Sequence, residues 1–291
     1  MSIGSSLLRN VSLIDEMEFC DLGDARRTQR LQMVVDALSQ KPDSSFPDIF
    51  SNESELEAFY RFLNNDHFEF TDVLEYHVDQ TVNRAEQLKD ILVLHDTTEM
   101  RFPLRDECLR SGLGRFSSQH QGFLVHASLA VSNDGLQCPL GLLNTRPFKH
   151  NANIANETVR TFWKSQNGLL DSELARWLES VKKTEESLKD VPTVIHVMDR
   201  EADAYELFTG MAANDIKFVI RLAQERRIEN PNFDDDTDMS VSQALKQQPV
   251  AIRREVELSP RSDYGRTLSA RKTFPARRTR TTILSIRGCE I

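Results

Sequence analysis

Ile91-Leu-Val-Leu-His-Asp-Thr-Thr98 and Val194-Ile-His-Val-Met-Asp-Arg-Glu-Ala-Asp203 decide how this chain reads. Each is a short apolar run that closes on an aspartate, Asp96 in the first and Asp199 in the second. Runs of this length, rich in branched residues and ended by polar ones, read as buried strands. A carboxylate at the C-terminal end of such a strand leaves the core just as it meets solvent. Two of them on neighbouring strands can hold divalent metal ions for phosphodiester chemistry, because hard cations take oxygen ligands.

Around these runs the period keeps changing. Residues 123–132 and 136–143 are strand-like, and Asn133-Asp-Gly135 between them is a hairpin signal. A helix is expected over 171–188 with Leu174, Trp177, Leu178 and Val181 inward, then a strand after Pro192, a helix over 201–213 and a strand over 216–222. The order strand, hairpin, helix, strand, helix, strand suits a mixed α/β sheet covered by helices. It is the ribonuclease H-like arrangement, and by that fold analogy the first and fourth strands are neighbours, which would bring Asp96 and Asp199 together.

Upstream, residues 12–90 read as helical. Leu31, Val34, Val35 and Leu38 recur at helical spacing behind Asp24, a candidate N-cap. After a break at Ser44-Ser-Phe-Pro47, Ala58, Phe59 and Phe62 share one face, and a third helix over 71–88 takes Thr71 as cap and Val73, Leu74, Val78 and Val82 inward. Downstream, 229–248 is polar and reads as a loop. Its Asp234-Asp-Asp-Thr-Asp238 cluster lacks the glycine and closing glutamate of a calcium loop. Residues 250–291 alternate in short β-like pieces, and the last run reads as the start of an interrupted domain.

Composition limits the partners. With 39% hydrophobic and 28% charged residues the chain suits a soluble globular class. It holds no apolar run of membrane-spanning length, and Met1-Ser-Ile-Gly-Ser-Ser-Leu-Leu-Arg9 lacks the apolar centre of a signal peptide, so export is not expected. Cys20, Cys108, Cys138 and Cys289 form no CxxC pair, which points to incidental thiols in a reducing cytoplasm. The net charge of −9 argues against coating by nucleic acid over the whole surface, but residues 249–291 alone carry +6, and local basic patches still allow DNA binding.

Several blocks resemble one family in the same order. Leu22-Gly-Asp-Ala-Arg-Arg-Thr-Gln-Arg-Leu31 and Tyr60-Arg-Phe-Leu-Asn-Asn65 resemble the N-terminal DNA-binding domain of bacterial insertion-sequence DDE transposases, the group that includes the hairpin-forming transposon-five enzyme. His95-Asp-Thr-Thr98 resembles its first catalytic block and Asp199-Arg-Glu-Ala-Asp203 its second, with Gly122-Phe-Leu-Val-His126 and Gly141-Leu-Leu143 fitting the strands between. The resemblance implies three parts: a helical transposon-end DNA-binding domain at 1–88, a ribonuclease H-like catalytic core at 89–228, and a β-rich insertion beginning at 229–291. It implies magnesium or manganese, double-stranded terminal-repeat and target DNA as partners, a homodimer, and a bacterial cytoplasmic, nucleoid-associated location. The family's third acid lies in a Tyr-x2-Arg-x3-Glu-x6-Lys helix, and no such pattern follows Asp199. The chain therefore reads as truncated before that acid and before the dimerisation region, able to bind transposon ends but not to cut alone.

Under the resemblance Asp96 bridges two metal ions and Asp199 holds one. By residue chemistry alone Asp96 is also a strand-end turn residue and Asp199 also a helix N-cap. Asp203, four residues on and on the same helical face, either supports the metal site or is a surface charge. Arg26, Arg27, Arg30 and Arg61 contact DNA phosphates under the resemblance and are otherwise solvated helix faces. Arg221 reaches a phosphate or forms a structural ion pair. His95 and His196 read as histidines packed in the core or supporting the aspartates beside them, and Thr97 and Thr98 as caps of a turn after Asp96 or as contacts to DNA. A decayed or regulatory fragment that only occupies transposon ends is the main alternative. A more remote one is another ribonuclease H-like nuclease that draws its third acid from Glu99 or Glu201.

Overall fold

Asp24 starts the first long helix as its sequence position demands. Its carboxylate accepts the Arg26 N–H, and α2 (Ala25–Gln40) follows α1 (Leu13–Met17). The computed structural model describes residues 12–50, 52–104, 109–148, 173–228, 239–260 and 277–287, in two units, Met1–Arg221 and Leu222–Ile291. Pro47 opens the single turn α3 (Phe46–Ile49), and Asn52 caps α4 (Glu53–Leu63) by accepting the Glu55 N–H. Leu31, Val34, Phe59 and Phe62 meet Met17, Cys20 and Leu22 in one helical core. The Phe59 ring centroid lies 5.0 Å from Phe46 and 4.8 Å from Phe50. Each fully buried side chain of this size contributes about 1.5–3 kcal/mol.

The next helix, α5 (Phe70–Ala85), corrects its expected start. Glu69, not Thr71, is the N-cap, because Asp72 accepts the Glu69 N–H at 2.7 Å and closes a reciprocal capping box. Its fully buried positions are Thr81 and Ala85, while Val73, Leu74, Val78 and Val82 of the expected apolar face are half-buried.

The sheet follows. β1 (Asp90–Pro103) pairs antiparallel with β3 (His120–Ser132), which is flanked on its other side by β2 (Gly114–Arg115) and β4 (Pro139–Phe148). α6 (Glu173–Ser187) leads to β5 (Thr193–Met198), which pairs parallel with β1. A 3-10 turn (Arg200–Ala202) and α7 (Tyr205–Ala212) lead to β6 (Lys217–Ile220), parallel to β5. The result is helices followed by a mixed sheet, with β1 at its centre between β3 and β5.

Three boundaries differ from the sequence reading. β1 runs on to Pro103 because β3 pairs with it that far, so Thr97 and Thr98 sit in strand and cap no turn. The hairpin link spans 133–138 rather than the expected 133–135, because β4 starts at Pro139. Gly135 has φ +88, and the Ser132 hydroxyl donates to Asp134 and accepts the Cys138 N–H. The expected helix over 201–213 is broken at Asp203 and Ala204, so Asp203 does not share a helical face with Asp199.

Side chains alternate across the strands. Ile91, Val93 and His95 of β1, with His196 and Met198 of β5, point to the buried face, where Ala85 packs by Val93 and Trp177 and Val181 by Met198. Leu92, Leu94, Ile195 and Val197 point the other way and are half-buried, and Val219 is 58% exposed.

One polar cluster joins helices to sheet. Glu16, 5% exposed, takes the Arg84 guanidinium on one oxygen and His77 Nδ1 on the other at 2.8 Å. Arg84 Nε donates to the Leu140 carbonyl at 2.6 Å, and His77 Nε2 accepts the Leu142 N–H at 3.0 Å. Because Nε2 accepts, the neutral ring carries its proton on Nδ1 and donates it to Glu16. Gly141 lies between these two backbone groups with φ +143, and a Cβ there would sit 2.1 Å from Thr81 Oγ1.

In the second unit β7 (Arg227–Ile228) pairs with β8 (Met239–Ser240). α8 (Val241–Gln247) then corrects the loop reading of 229–248. Ser240 and Gln243 form a capping box that the sequence displays as Ser-Val-Ser-Gln. The acidic cluster 234–238 lies outside the described residues. β9 (Ile252–Leu258) and β10 (Arg280–Ile286) form an antiparallel pair, in keeping with the β-like reading of the region.

The joint makes a testable demand. Glu16→Ala and Gly141→Ala are each expected to destabilise the first unit by about 2–4 kcal/mol in urea unfolding, the first by leaving a cation without its partner and the second by strain and overlap. Because both act on one network, the double variant should fall short of the sum.

Candidate functional site

The β1–β5 ladder ends at the pair His95↔Met198, so Asp96 and Asp199 are the next residues on two adjacent parallel strands. Neighbouring strands run about 4.8 Å apart, which leaves both residues close together at one sheet end. Both residues are exposed. Among the described residues the Asp96 carboxylate has no hydrogen bond or ion pair. Asp199 is extended, and its Oδ1 accepts the Glu201 N–H at 2.8 Å. Its N-cap role is therefore real, applies to the 3-10 turn, and leaves the second oxygen for another ligand.

Arg221 follows β6, and its N–H donates to the Met198 carbonyl at 3.2 Å, placing it at the same sheet end. Its side chain is exposed and forms no ion pair among the described residues, so the structural-bridge reading does not hold there. Asp203 is half-buried beyond the turn. Glu99 pairs with Arg101 and, three residues past Asp96, faces the opposite side of β1. No group of three or more His, Cys, Asp or Glu converges on a metal-sized site among the described residues.

Behind the carboxylates lies a feature the sequence reading saw only in part. His95, His126 and His196, on β1, β3 and β5, are 3%, 1% and 0% exposed. The His95 ring centroid is 5.0 Å from His196 and 5.9 Å from His126, and Trp177 sits edge-on to His126 at 4.7 Å. Glu185 Oε1 meets His196 Nε2 at 2.7 Å, His196 Nδ1 meets His95 Nε2 at 2.8 Å, and His95 Nδ1 meets Ser128 Oγ at 3.0 Å. His126 Nδ1 shares a hydrogen bond with Thr97 Oγ1 at 2.9 Å, and its Nε2 is buried without a partner. Burial, then the charges that His196 and His126 would place beside it, push His95 well below the ordinary histidine range. Burial, then Arg176 and Arg146, bring His126 down to about 4. His95 and His196 are thus packed in the core as expected, and His126, Ser128 and Glu185 join them. The one sequence signal for His126 was its inward parity on the strand that ends at Ser132.

On the helices, Arg26 is well exposed and its guanidinium hydrogen-bonds Asp24, holding that carboxyl down at about 2. Arg27 spends one donor on the Leu22 carbonyl at 2.8 Å. Arg30 lines a shallow groove with Met33, Phe50 and Phe59, and Arg61 is exposed in the last turn of α4. The three arginines of α2 therefore differ in freedom, although they share one helix flank. Cys20 is buried in the helical core, where burial and then Glu16 push its thiol up, and Cys138 is exposed; both are free thiols.

Residues 12–68 match the model of a family described as transposase DNA-binding. The matched stretch holds α1 to α4 and, with them, Arg26, Arg27, Arg30 and Arg61. The match supports a transposase-type, DNA-binding role. No helix among the described residues is long and apolar enough to cross a membrane.

The buried histidines set an acid limit. Unfolded histidine takes a proton near 6.5, whereas folded His126 waits until about 4. The unfolded state therefore binds more protons between these values, and stability falls as pH drops from about 6.5 to about 4, with no loss above that window. Urea midpoints across pH 4–8 should show this decline, and His126→Leu should remove about one proton from its slope.

Proposed function

We propose that this chain is a transposase of the DDE type that grips transposon terminal repeats through its N-terminal helices. On this reading its sheet is a ribonuclease H-like core, with Asp96 and Asp199 as carboxylate ligands for magnesium or manganese. The observation that carries the reading is the parallel β1–β5 ladder. It leaves the two aspartates side by side at one sheet end, in the same unit as the matched helices. The sheet order, with β3, β1, β5 and β6 in sequence, supports the ribonuclease H-like assignment.

The bound metal would neutralise phosphate charge and activate water or a 3′-hydroxyl for in-line attack on a DNA phosphate. The chain's own residues hold and orient. Asp96 offers an unshared carboxylate, Asp199 one oxygen beside its capping bond, and Asp203 a further acid from the loop after the turn. Arg221, at the same sheet end, would meet a DNA phosphate. Arg26, Arg27, Arg30 and Arg61 position the duplex through phosphates without reading bases.

A second reading, occupation of transposon ends without cutting, is favoured by one observation: among the described residues no third acid joins the pair. One experiment separates the two. The chain is mixed with its element's terminal repeat or a scrambled duplex in magnesium or manganese, and products are run on native and denaturing gels. Specific binding with nicking lost in Asp96→Ala supports the enzyme. Specific binding without nicking supports end occupation. Equal affinity for both duplexes overturns both. Arg61→Ala should weaken binding and lower the slope of log affinity against log salt by about 1.

A further inference from the structure

Buried imidazoles are costly in a core unless each nitrogen is satisfied. With both rings neutral, the line from Glu185 to Ser128 satisfies every nitrogen in it in only one way. Glu185, ionised, only accepts, so His196 Nε2 carries a proton and donates it. The neutral His196 ring then accepts at Nδ1, so His95 donates from Nε2. His95 Nδ1 in turn accepts the Ser128 hydroxyl proton. Every hydrogen bond points the same way, from β3 through β1 and β5 to α6.

The position of this line matters more than its presence. Backbone pairing between β1 and β5 stops at His95↔Met198. Beyond that rung the ladder no longer fixes the spacing of Asp96 and Asp199. The His95–His196 bond ties the same two strands laterally from beneath, one residue before Asp96 and three before Asp199. Ser128 pairs with His95 across the β1–β3 ladder, and Glu185 anchors the far end to a helix.

We infer that Glu185, His196, His95 and Ser128 form a one-directional hydrogen-bond line that holds the strand ends bearing Asp96 and Asp199 at a fixed separation, making His95 and His196 positioning residues for a divalent cation. The inference rests on the reading of Asp96 and Asp199 as metal ligands. A core-filling role alone would accept any arrangement of similar volume. A positioning role requires the polarity of the line and its two ends.

Both requirements are measurable on the full chain. Long-range proton–nitrogen correlation spectra of histidine-labelled protein should show His95 and His196 protonated at Nε2 only. Manganese affinity, read by water-proton relaxation, should fall about tenfold in Glu185→Ala and in Ser128→Ala, the lower range for groups that support metal ligands. Neither truncation opens a large cavity, since Glu185 is partly exposed on a helix and Ser128 loses one small hydroxyl, and each leaves a single imidazole nitrogen unpaired. Glu185→Gln keeps an acceptor for His196 and should retain wild-type affinity and tautomers. Unchanged manganese affinity in both truncations, or a proton on His95 Nδ1 in the wild type, overturns the inference. If wild-type binding is itself indifferent to Asp96→Asn, the metal reading fails, and positioning falls with it even where the tautomers are as assigned.

Discussion

The rest of the first unit depends on the parallel pairing of β1 with β5. Parallel strands cannot be joined by a tight turn, so this contact is made only after β3, β4 and α6 have been threaded around it. The pairing makes β1 central, with an antiparallel neighbour on one side and a parallel one on the other. It sets Ile91 and Val93 opposite Val194 and His196, stacking apolar rungs beneath the helices. Its last rung sets the level at which two carboxylates reach solvent together. A slip of β5 by one residue would turn His196 out of the core and Asp199 towards it.

The second constraint is the polar joint between helices and sheet. Glu16 comes from α1, His77, Thr81 and Arg84 from α5, and the groups they hold are backbone atoms of β4. A buried carboxylate is stable only when its charge is met, and here an arginine and a histidine meet it while also satisfying a carbonyl and an N–H of the strand. Such a cluster is specific in a way that apolar packing is not. It fixes which turn of α5 lies over Gly141, and only glycine leaves room for it. The helices that carry the matched DNA-binding stretch are thereby tied to the sheet that carries Asp96.

Much of this was legible in advance, and the misses have physical causes. Periodicity located the cores of α2, α4 and α6, since an amphipathic stripe is a local property. Asp24 was legible as a cap for the same reason. The cap of α5 was misread because Thr71 and Glu69 are both plausible acceptors, and the choice fell to the reciprocal bond from Asp72. The length of β1 was underread because Thr97 to Pro103 has little apolar character and is strand only through its partner β3. The break before α7 leaves Asp203 off any helix shared with Asp199, which composition could not reveal.

The sequence by itself determined the two strand-ending aspartates, the helical N-terminal region with its arginines, and the change from helical to strand period near residue 90. These are properties of neighbours along the chain. Tertiary structure alone decided that Asp96 and Asp199 stand on adjacent strands, that Glu16 meets Arg84 and His77, and that His95, His126 and His196 gather under Trp177. Each of these joins residues far apart in sequence. No local pattern encodes such a contact, because its free energy exists only when the sheet has closed and water has left the space between the partners.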